Sequence, residues 1–199
     1  DAEDVMQAIA RALAWNTVYE PGQDRFVTPV TRRWCSMSVM PHFGNYVLFA
    51  WDTFFGALLA ATQDKEFAER QVESILEEFR DGCIPLAGSQ VHIRSERSQP
   101  PVGSYCTLKL YHQYKDKALL EKSFERLAAW NAWWFQNRDG NRNGLLEWGV
   151  NQSREWPLEY KWLKQDADYE SGMDNSPMHD GVPYNMQTQT LEQDYVELN

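Results

Sequence analysis

The chain has 199 residues, a length that suits one domain with a substantial core. Its 29 acidic and 19 basic residues give a formal net charge of −10, which repels phosphate backbones and argues against a nucleic-acid partner. No run of about 18 apolar residues occurs, so we expect no membrane span. Three cysteines without CxxC spacing exclude a disulfide framework and a cysteine-based zinc site, and they favour a reducing, cytoplasmic compartment.

Hydrophobic periodicity predicts helices joined by long loops. Five helices are predicted at 4–16, 54–62, 66–79, 100–114 and 117–135, and a sixth from Met186 onward. Asp52 and Thr53 are expected to cap the second of them. Apolar and β-branched runs at 26–28 and 46–48 allow short strands.

Most of the informative residues fall in the predicted loops, above all in 136–184. A loop of about 50 residues is too long for a compact small domain unless it has a function. The chain also ends inside an apparent helix. We therefore predict an all-α fold, with room for short strands, that is part of a larger helical domain.

Aromatic residues make up 14% of the chain, with nine each of Trp, Tyr and Phe. Trp and Tyr combine a large apolar face with a polar group, a combination that suits the stacking of a sugar ring. The same composition is equally typical of a core rich in aromatic side chains. Composition alone leaves both interpretations open.

The segment 170–177 reads Glu-Ser-Gly-Met-Asp-Asn-Ser-Pro and contains the first candidate catalytic residue, Asp174. A carboxyl group on a Gly-containing turn can be directed into a pocket, where burial beside Tyr169 or Trp162 raises its pKa, as a general acid requires. The alternative is an Asp that caps its own turn.

Two further segments contain candidate sugar-binding residues. Trp51 and Asp52 can stack on a sugar and accept bonds from its hydroxyl groups, although an N-cap followed by core residues explains the same pattern. Gln99 can point at a ligand from the start of a helix. A Ser cap followed by Pro in the first turn explains that segment equally well.

Residues 139–149 resemble the first part of a calcium-binding loop. Counted from Asp139, loop positions 1, 3 and 5 are Asp139, Asn141 and Asn143. Gly144 is the turn glycine at position 6. Position 7 offers the Leu145 carbonyl, and position 9 is Glu147. Position 12 is Val150 instead of the usual Glu, so Ca²⁺ would need another carboxylate, such as Glu197. The alternative is an Asx-rich turn. The four histidines show no metal-ligand spacing, and no GxSxG, P-loop or dinucleotide motif is present.

In combination, these motifs resemble glycoside hydrolase family 63, and within it the bacterial glucosylglycerate and mannosylglycerate hydrolase-like proteins. The resemblance rests on Ala-Trp-Asn (14–16), Trp-Asp-Thr-Phe-Phe (51–55), Ser-Gln-Pro-Pro (98–101), the loop 139–149 and the segment 170–177. Trehalases share the Trp-Asp and Glu-Ser-Gly elements more distantly. The resemblance covers essentially the whole chain.

This resemblance implies an (α/α)₆ toroid of twelve helices and inverting hydrolysis of a small α-glycoside, with no cofactor required for catalysis. It implies that Asp174 is the general acid and that Trp51, Asp52 and Gln99 bind substrate. The resemblance also places Glu170 among the substrate-site residues, where it supports the loop 170–177. Some relatives bind calcium at a loop like 139–147, so a structural Ca²⁺ is also implied.

The family's general base is a Glu in the second half of the toroid. Residues 1–199 are therefore expected to be the N-terminal half of one domain, with about six of the twelve helices, and to be inactive or poorly soluble alone. Asp52, Glu155 and Asp168 are the carboxylates within the chain that can in principle act as the base. A non-catalytic carbohydrate-binding module is the alternative function, and a lyase or epimerase is a weaker third.

Overall fold

The structure is a computed structural model that describes residues 1–30, 46–89, 95–152 and 159–194. Within these ranges it contains six α-helices: α1 (Ala2–Asn16), α2 (Ala50–Ala60), α3 (Lys65–Leu76), α4 (Gly103–Tyr114), α5 (Lys117–Asn137) and α6 (Tyr160–Glu170). A short 3₁₀ helix covers Pro177–His179. No helix in the described ranges is long and apolar enough to cross a membrane.

Six short strands accompany the helices and pair as three antiparallel two-stranded sheets. They are β1 (Val18–Glu20) with β2 (Arg25–Val27), β3 (Val47–Phe49) with β4 (Ala87–Ser89), and β5 (Tyr184–Asn185) with β6 (Thr190–Leu191). The expected strands near 26–28 and 46–48 are confirmed. The described residues thus form a mainly helical fold with short two-stranded sheets, so an all-α class in the narrow sense is not confirmed.

The core lies where α2, α3, α4 and α5 pack together. Phe54 of α2 stacks on Trp130 of α5, with ring centroids 6.0 Å apart. Gly103 begins α4 directly against this layer, because a Cβ there would lie 2.7 Å from side-chain atoms of both Phe54 and Leu127. Part of the aromatic content, including Phe54 and Trp130, is therefore core, whereas other aromatic side chains such as Trp15 and Phe124 are exposed.

The structure confirms four of the helices predicted from hydrophobic periodicity, namely α1, α3, α4 and α5. Helix α2 begins four residues earlier than predicted, at Ala50. Its N-cap is Phe49, so the expectation that Asp52 and Thr53 are caps is wrong. The Thr53 hydroxyl donates to the Phe49 carbonyl at 2.8 Å, and the Trp51 backbone N–H donates to Gln99 Oε1 at 3.1 Å. A side chain distant in sequence thus satisfies the start of this helix.

The last part of the chain differs most from the prediction. Helix α6 lies inside the stretch predicted to be loop, while the helix expected from Met186 is absent as far as Asp194, where the described residues end. Asn185 instead forms a turn, because its Oδ1 accepts from the backbone N–H groups of Gln187 and Thr188. The following strand pairs with the segment after α5, since Leu191 N–H donates to the Trp148 carbonyl.

Candidate active site

Glu170, the last residue of α6, joins three separate segments of the chain. Its side chain is fully buried and forms a bidentate ion pair with Arg138, from Nε at 2.5 Å and Nη2 at 2.8 Å. The backbone N–H groups of Ser98 and Gly149 donate to the same carboxylate at 2.8 and 2.7 Å. Both oxygens are therefore used by protein donors, so Glu170 supports the site from within and offers no free oxygen to a sugar.

The segment 97–99 is anchored to the core beside Glu170. The Ser98 hydroxyl accepts a hydrogen bond from the Trp130 indole at 2.9 Å and donates to the Ile84 carbonyl. The next residue, Gln99, is only 5% exposed, and its Oε1 binds the N-terminus of α2. Gln99 thus positions Trp51 through the backbone.

Trp51 lies directly against the turn that follows α6. Gly172 has φ +72°, and a Cβ at this position would lie 2.7 Å from Trp51 Cη2 and 2.9 Å from Cε2. Only a glycine fits both the left-handed backbone and this close approach. The Trp51 side chain also hydrogen-bonds the Asp52 carboxylate. Trp51 therefore connects Asp52 to the turn that leads to Asp174.

Asp174 is exposed at the edge of a groove of about 480 Å³, which Trp162, Gln165, Asp168 and His179 also line. Partial burial raises the pKa of its carboxyl, against the opposing effects of its own backbone N–H and of the nearby Arg97 and His179. Of the two aromatic residues expected beside Asp174, Trp162 lines the same groove. Burial raises the pKa of the other, Tyr169, and the nearby charge of Asp174 raises it further. A raised pKa is the property that a general acid needs.

Asp52 lies in a different groove from Asp174. This second groove, of about 490 Å³ between α1 and α2, is mainly apolar and is lined by Ile9, Phe55 and Leu59 as well as Asp52. Burial raises the pKa of the Asp52 carboxyl. The grooves of Asp52 and Asp174 share none of the described residues that line them.

Asp168 and Glu155 are the two other carboxylates that the sequence offered as a general base. Asp168 is paired with Lys164, with Oδ2 and Nζ 3.0 Å apart and both side chains mostly buried. The ion pair directs this carboxylate at the lysine. Glu155 lies outside the described residues.

The loop 139–147 is closed by hydrogen bonds of the Asx type. Asp139 accepts from the backbone N–H groups of Asn143 and Gly144, and Asn143 Oδ1 accepts from that of Leu145. Asn141 Oδ1 likewise accepts from the Asn143 N–H at 3.0 Å. The oxygens expected to bind Ca²⁺ therefore already serve the backbone of an Asx-rich turn.

Asp194 is the carboxylate that faces this loop, and it accepts from the side-chain amides of Asn141 at 2.9 Å and Asn143 at 2.8 Å. Glu197, named from the sequence, lies outside the described residues. Burial raises the pKa of Glu147, and the negative charges of Asp194 and Asp139 raise it further. Across the described part of the chain, no group of three or more His, Cys, Asp or Glu side chains is arranged to hold a metal ion.

Sequence reasoning missed three cationic or titratable residues that shape the site: Arg97, Arg138 and His179. Arg138 is fully buried at the end of α5, with its guanidinium 4.6 Å from the ring centre of Trp133. Arg97 Nη1 lies 2.9 Å from Asp166 Oδ2, and both residues are nine-tenths buried or more. A buried arginine has no local sequence signal, because its partner lies on another element.

Comparisons with known proteins identify the family of this chain. A family profile described as "Mannosylglycerate hydrolase MGH1-like glycoside hydrolase domain" matches residues 45–198. Two curated relatives from Selaginella moellendorffii, the mannosylglycerate hydrolases MGH2 and MGH1, are each 28% identical over 153 residues, or 65% of this chain and 28% of theirs.

A similar fold occurs in a solved structure, the GH63 mannosylglycerate hydrolase from Thermus thermophilus in complex with Tris and D-glycerate. The TM-score is 0.65 at 21% sequence identity, over 92% of this chain and 42% of that chain. This chain thus spans well under half the length of these relatives. Because the family profile covers more than half of its residues, the chain belongs to the family of mannosylglycerate hydrolase MGH1-like glycoside hydrolase domains.

Proposed function

We propose that this chain carries part of the active site of a glycoside hydrolase that cleaves the O-glycosyl bond of small α-glucosides or glycosylglycerates, with Asp174 as the general acid. The observation that carries the proposal is the turn 170–174. Gly172 brings it against the Trp51 indole, and Asp174 follows with a solvent-accessible carboxyl of raised pKa. Family membership and the relatives' names support the reaction and the substrate class.

In the proposed reaction, the proton of the Asp174 carboxyl moves to the glycosidic oxygen as the bond from that oxygen to the anomeric carbon breaks. A water molecule attacks the anomeric carbon from the opposite face and gives its proton to a base, so the configuration inverts. Trp51 stacks on the sugar, and Asp52 accepts from hydroxyl groups of the part of the substrate that extends into the second groove. Gln99 and Glu170 hold these groups in place.

We propose that neither Asp52 nor Asp168 is the general base. An inverting enzyme needs its two carboxyl groups about 6.5–9.5 Å apart to admit the water. Asp168 is directed at Lys164 and Asp52 lines the other groove, so neither is in place for this role. We accordingly assign residues 1–199 to the N-terminal half of an (α/α)₆ toroid whose second half supplies the base.

Hydrolysis of a panel of α-glucosides, α-mannosides, glucosylglycerate and mannosylglycerate by the full-length protein tests the proposal. The first product anomer, followed by NMR before mutarotation, is expected to be β. An α product would contradict inversion. Sugar binding without hydrolysis would favour the carbohydrate-binding module, and an unsaturated or epimerised product would favour the lyase or epimerase alternative.

We further propose a structural Ca²⁺ in the loop 139–147, bound by Asp139, Asn141, Asn143, the Leu145 carbonyl and Glu147. The chemistry of the donors fits a hard cation, since all are oxygen ligands. Burial is the largest cause of the raised pKa of Glu147, and the nearby charges of Asp194 and Asp139 add to it. Asp194 is the further carboxylate that fits the loop, and the amides of Asn141 and Asn143 would have to leave it when the ion binds.

Thermal unfolding of the full-length protein with millimolar Ca²⁺ and with a chelator tests this site. We expect Ca²⁺ to raise Tm because an ion that binds only the folded state stabilises it. Asp139→Asn should abolish that increase, while Asp24→Asn, in the turn between β1 and β2, should preserve it. An unchanged Tm in Ca²⁺ would support the Asx-rich turn.

A further inference from the structure

The turn that leads to Asp174 is held by a buried hydrogen-bond system around the Ser171 hydroxyl. Ser171 is 1% exposed and His179 is 3% exposed. Ser171 Oγ lies 2.6 Å from the Asp168 carbonyl oxygen, 3.0 Å from the Met173 backbone nitrogen and 3.1 Å from His179 Nε2. A hydroxyl has one proton and two lone pairs, so these three contacts use its full capacity.

The chemistry of the partners determines the direction of each bond. A carbonyl oxygen only accepts, so the single Ser171 proton goes to Asp168. The Met173 N–H only donates and occupies one lone pair. The remaining lone pair faces His179 Nε2, which must therefore carry a hydrogen. Both the Nε2–H tautomer and the imidazolium ion satisfy this requirement.

His179 is itself fixed from a second direction. Lys164 Nζ donates to the His179 carbonyl at 3.2 Å and to both carboxylate oxygens of Asp168 at 3.0 and 3.2 Å. Asp168, Ser171, His179 and Lys164 thus form a closed ring of contacts that joins the end of α6 to the 3₁₀ helix. Asp174 lies on the turn between these two elements, only one residue beyond Met173.

We propose that His179 is a positioning residue for Asp174, because its Nε2–H bond to Ser171 Oγ fixes the backbone of the turn 171–173. This inference rests on the proposed function, in which Asp174 is the general acid. His179 is only 3% exposed, so in this proposal it acts on Asp174 through Ser171. Removal of its donor leaves a buried lone pair of Ser171 without a partner, so the turn is free to move.

The test compares two substrates of the full-length protein, a natural glycoside and an activated aryl glycoside whose leaving group needs little protonation. The measured quantity is the ratio of their kcat values. A partly unfolded preparation lowers both rates equally and leaves this ratio unchanged, whereas a displaced acid lowers the natural rate selectively. A displacement of about 1 Å can reduce a rate 10²-fold, so we expect His179→Leu to lower the ratio by about 10- to 100-fold.

Three further variants make the result specific. His179→Gln retains an N–H donor at a comparable reach and should largely restore the ratio, whereas Ser171→Ala should lower it as His179→Leu does. The double variant should be no worse than either single one, because both remove the same bond. His112→Leu, an exposed histidine on α4, is the matched control and should behave as wild type.

Parallel measurement of Asp174→Asn separates the two proposals. If that variant lowers the ratio while His179→Leu, His179→Gln and Ser171→Ala all keep the wild-type ratio, the positioning role is wrong and the general acid stands. If Asp174→Asn itself leaves the ratio unchanged, the proposed function fails. If His179→Leu does not fold, Ser171→Ala and the comparison of His179→Gln with wild type still decide the question.

Discussion

Two carboxylates only four residues apart, Glu170 and Asp174, lie in opposite environments. Glu170 is fully buried and receives four hydrogen bonds, two of them from Arg138. Asp174 is exposed in a groove, and partial burial raises its pKa. These environments fit the supporting role proposed for Glu170 and the general-acid role proposed for Asp174.

Asp174→Asn retains the shape of the side chain but removes its proton. We expect the rate on a natural glycoside to fall about 10²–10⁴-fold, because general acid–base groups typically contribute that much. The wild-type kcat/KM should decrease as the pH rises through the raised pKa of Asp174, because the acid then loses its proton. The variant should not show this decrease at alkaline pH. Steady-state kinetics from acid to alkaline pH measure both effects.

Glu121→Gln, which changes an exposed carboxylate on α5 that lines neither groove, is the control and should keep both the rate and its pH dependence. If Asp174→Asn retains most of the wild-type rate, Asp174 is not the general acid.

Gly172→Ala tests the contact between the turn and Trp51. An alanine at φ +72° costs about 1–2 kcal/mol in backbone strain, and the overlap of its Cβ with the indole adds about 1–3 kcal/mol. We expect lower stability and a lower kcat because Trp51 or the turn must move. Gly181, which has φ +73° and open space within 4 Å of the position that a Cβ would occupy, supplies the control.

Gly181→Ala carries the same backbone strain without the overlap, so denaturant unfolding of the two variants isolates the Trp51 contact. Equal losses of stability would show that this contact is unimportant.

At the scale of elements, α6 organises the site because its buried face carries charges. Its buried residues are Leu163, Asp166, Ala167 and Glu170, a helical spacing in which two of four positions are carboxylates. Asp166 binds Arg97 and Glu170 binds Ser98 and Arg138, so one face of α6 holds the segment 97–98 at two points. These pairs place the end of α6, and with it the turn to Asp174.

Glu170→Gln should therefore destabilise the fold. Loss of the negative charge leaves Arg138 buried without its counterion, and breaking a buried pair typically costs about 3–5 kcal/mol. The new amide group must also turn its NH₂ toward two donors, since each oxygen of Glu170 accepts from two N–H groups. Denaturant-induced unfolding measures the loss.

Glu159→Gln, at a side chain that is 77% exposed beside Lys161, should change the free energy of unfolding little. Comparable losses for the two variants would contradict the supporting role of Glu170.

At the scale of the whole molecule, large apolar side chains are exposed along several helices. Trp15 of α1 and Phe124 of α5 are 68% and 70% exposed, and the apolar groove between α1 and α2 is open. Exposed apolar surface of this extent favours association with other protein surfaces. The shared fold with a relative more than twice as long fits the proposal that further helices cover part of it.

We predict that residues 1–199 expressed alone associate or aggregate and do not hydrolyse glycosides. Size-exclusion chromatography, binding of a hydrophobic dye and the glycoside panel measure these properties, with the full-length protein as the control. A monodisperse, cooperatively folding and active 199-residue product would contradict both this prediction and the proposed division of the toroid.

The sequence by itself determined the features that depend on neighbouring residues. Apolar spacing predicted α1, α3, α4 and α5, and the motifs at 51–55, 98–101 and 170–177 indicated the family, because both signals are written in short stretches of chain. The Gly172 turn also has a local cause, since a glycine after α6 ends the helix in a left-handed conformation.

Only the tertiary structure decided the features that depend on distant partners. Helix α6 was missed because carboxylates on its buried face conceal the apolar period, and they are buried only because Arg97 and Arg138 neutralise them. Helix α2 begins at Ala50 because Gln99 reaches its first turn from a distant segment. Charge pairing and capping between elements follow from the folded arrangement, and no local sequence pattern encodes them.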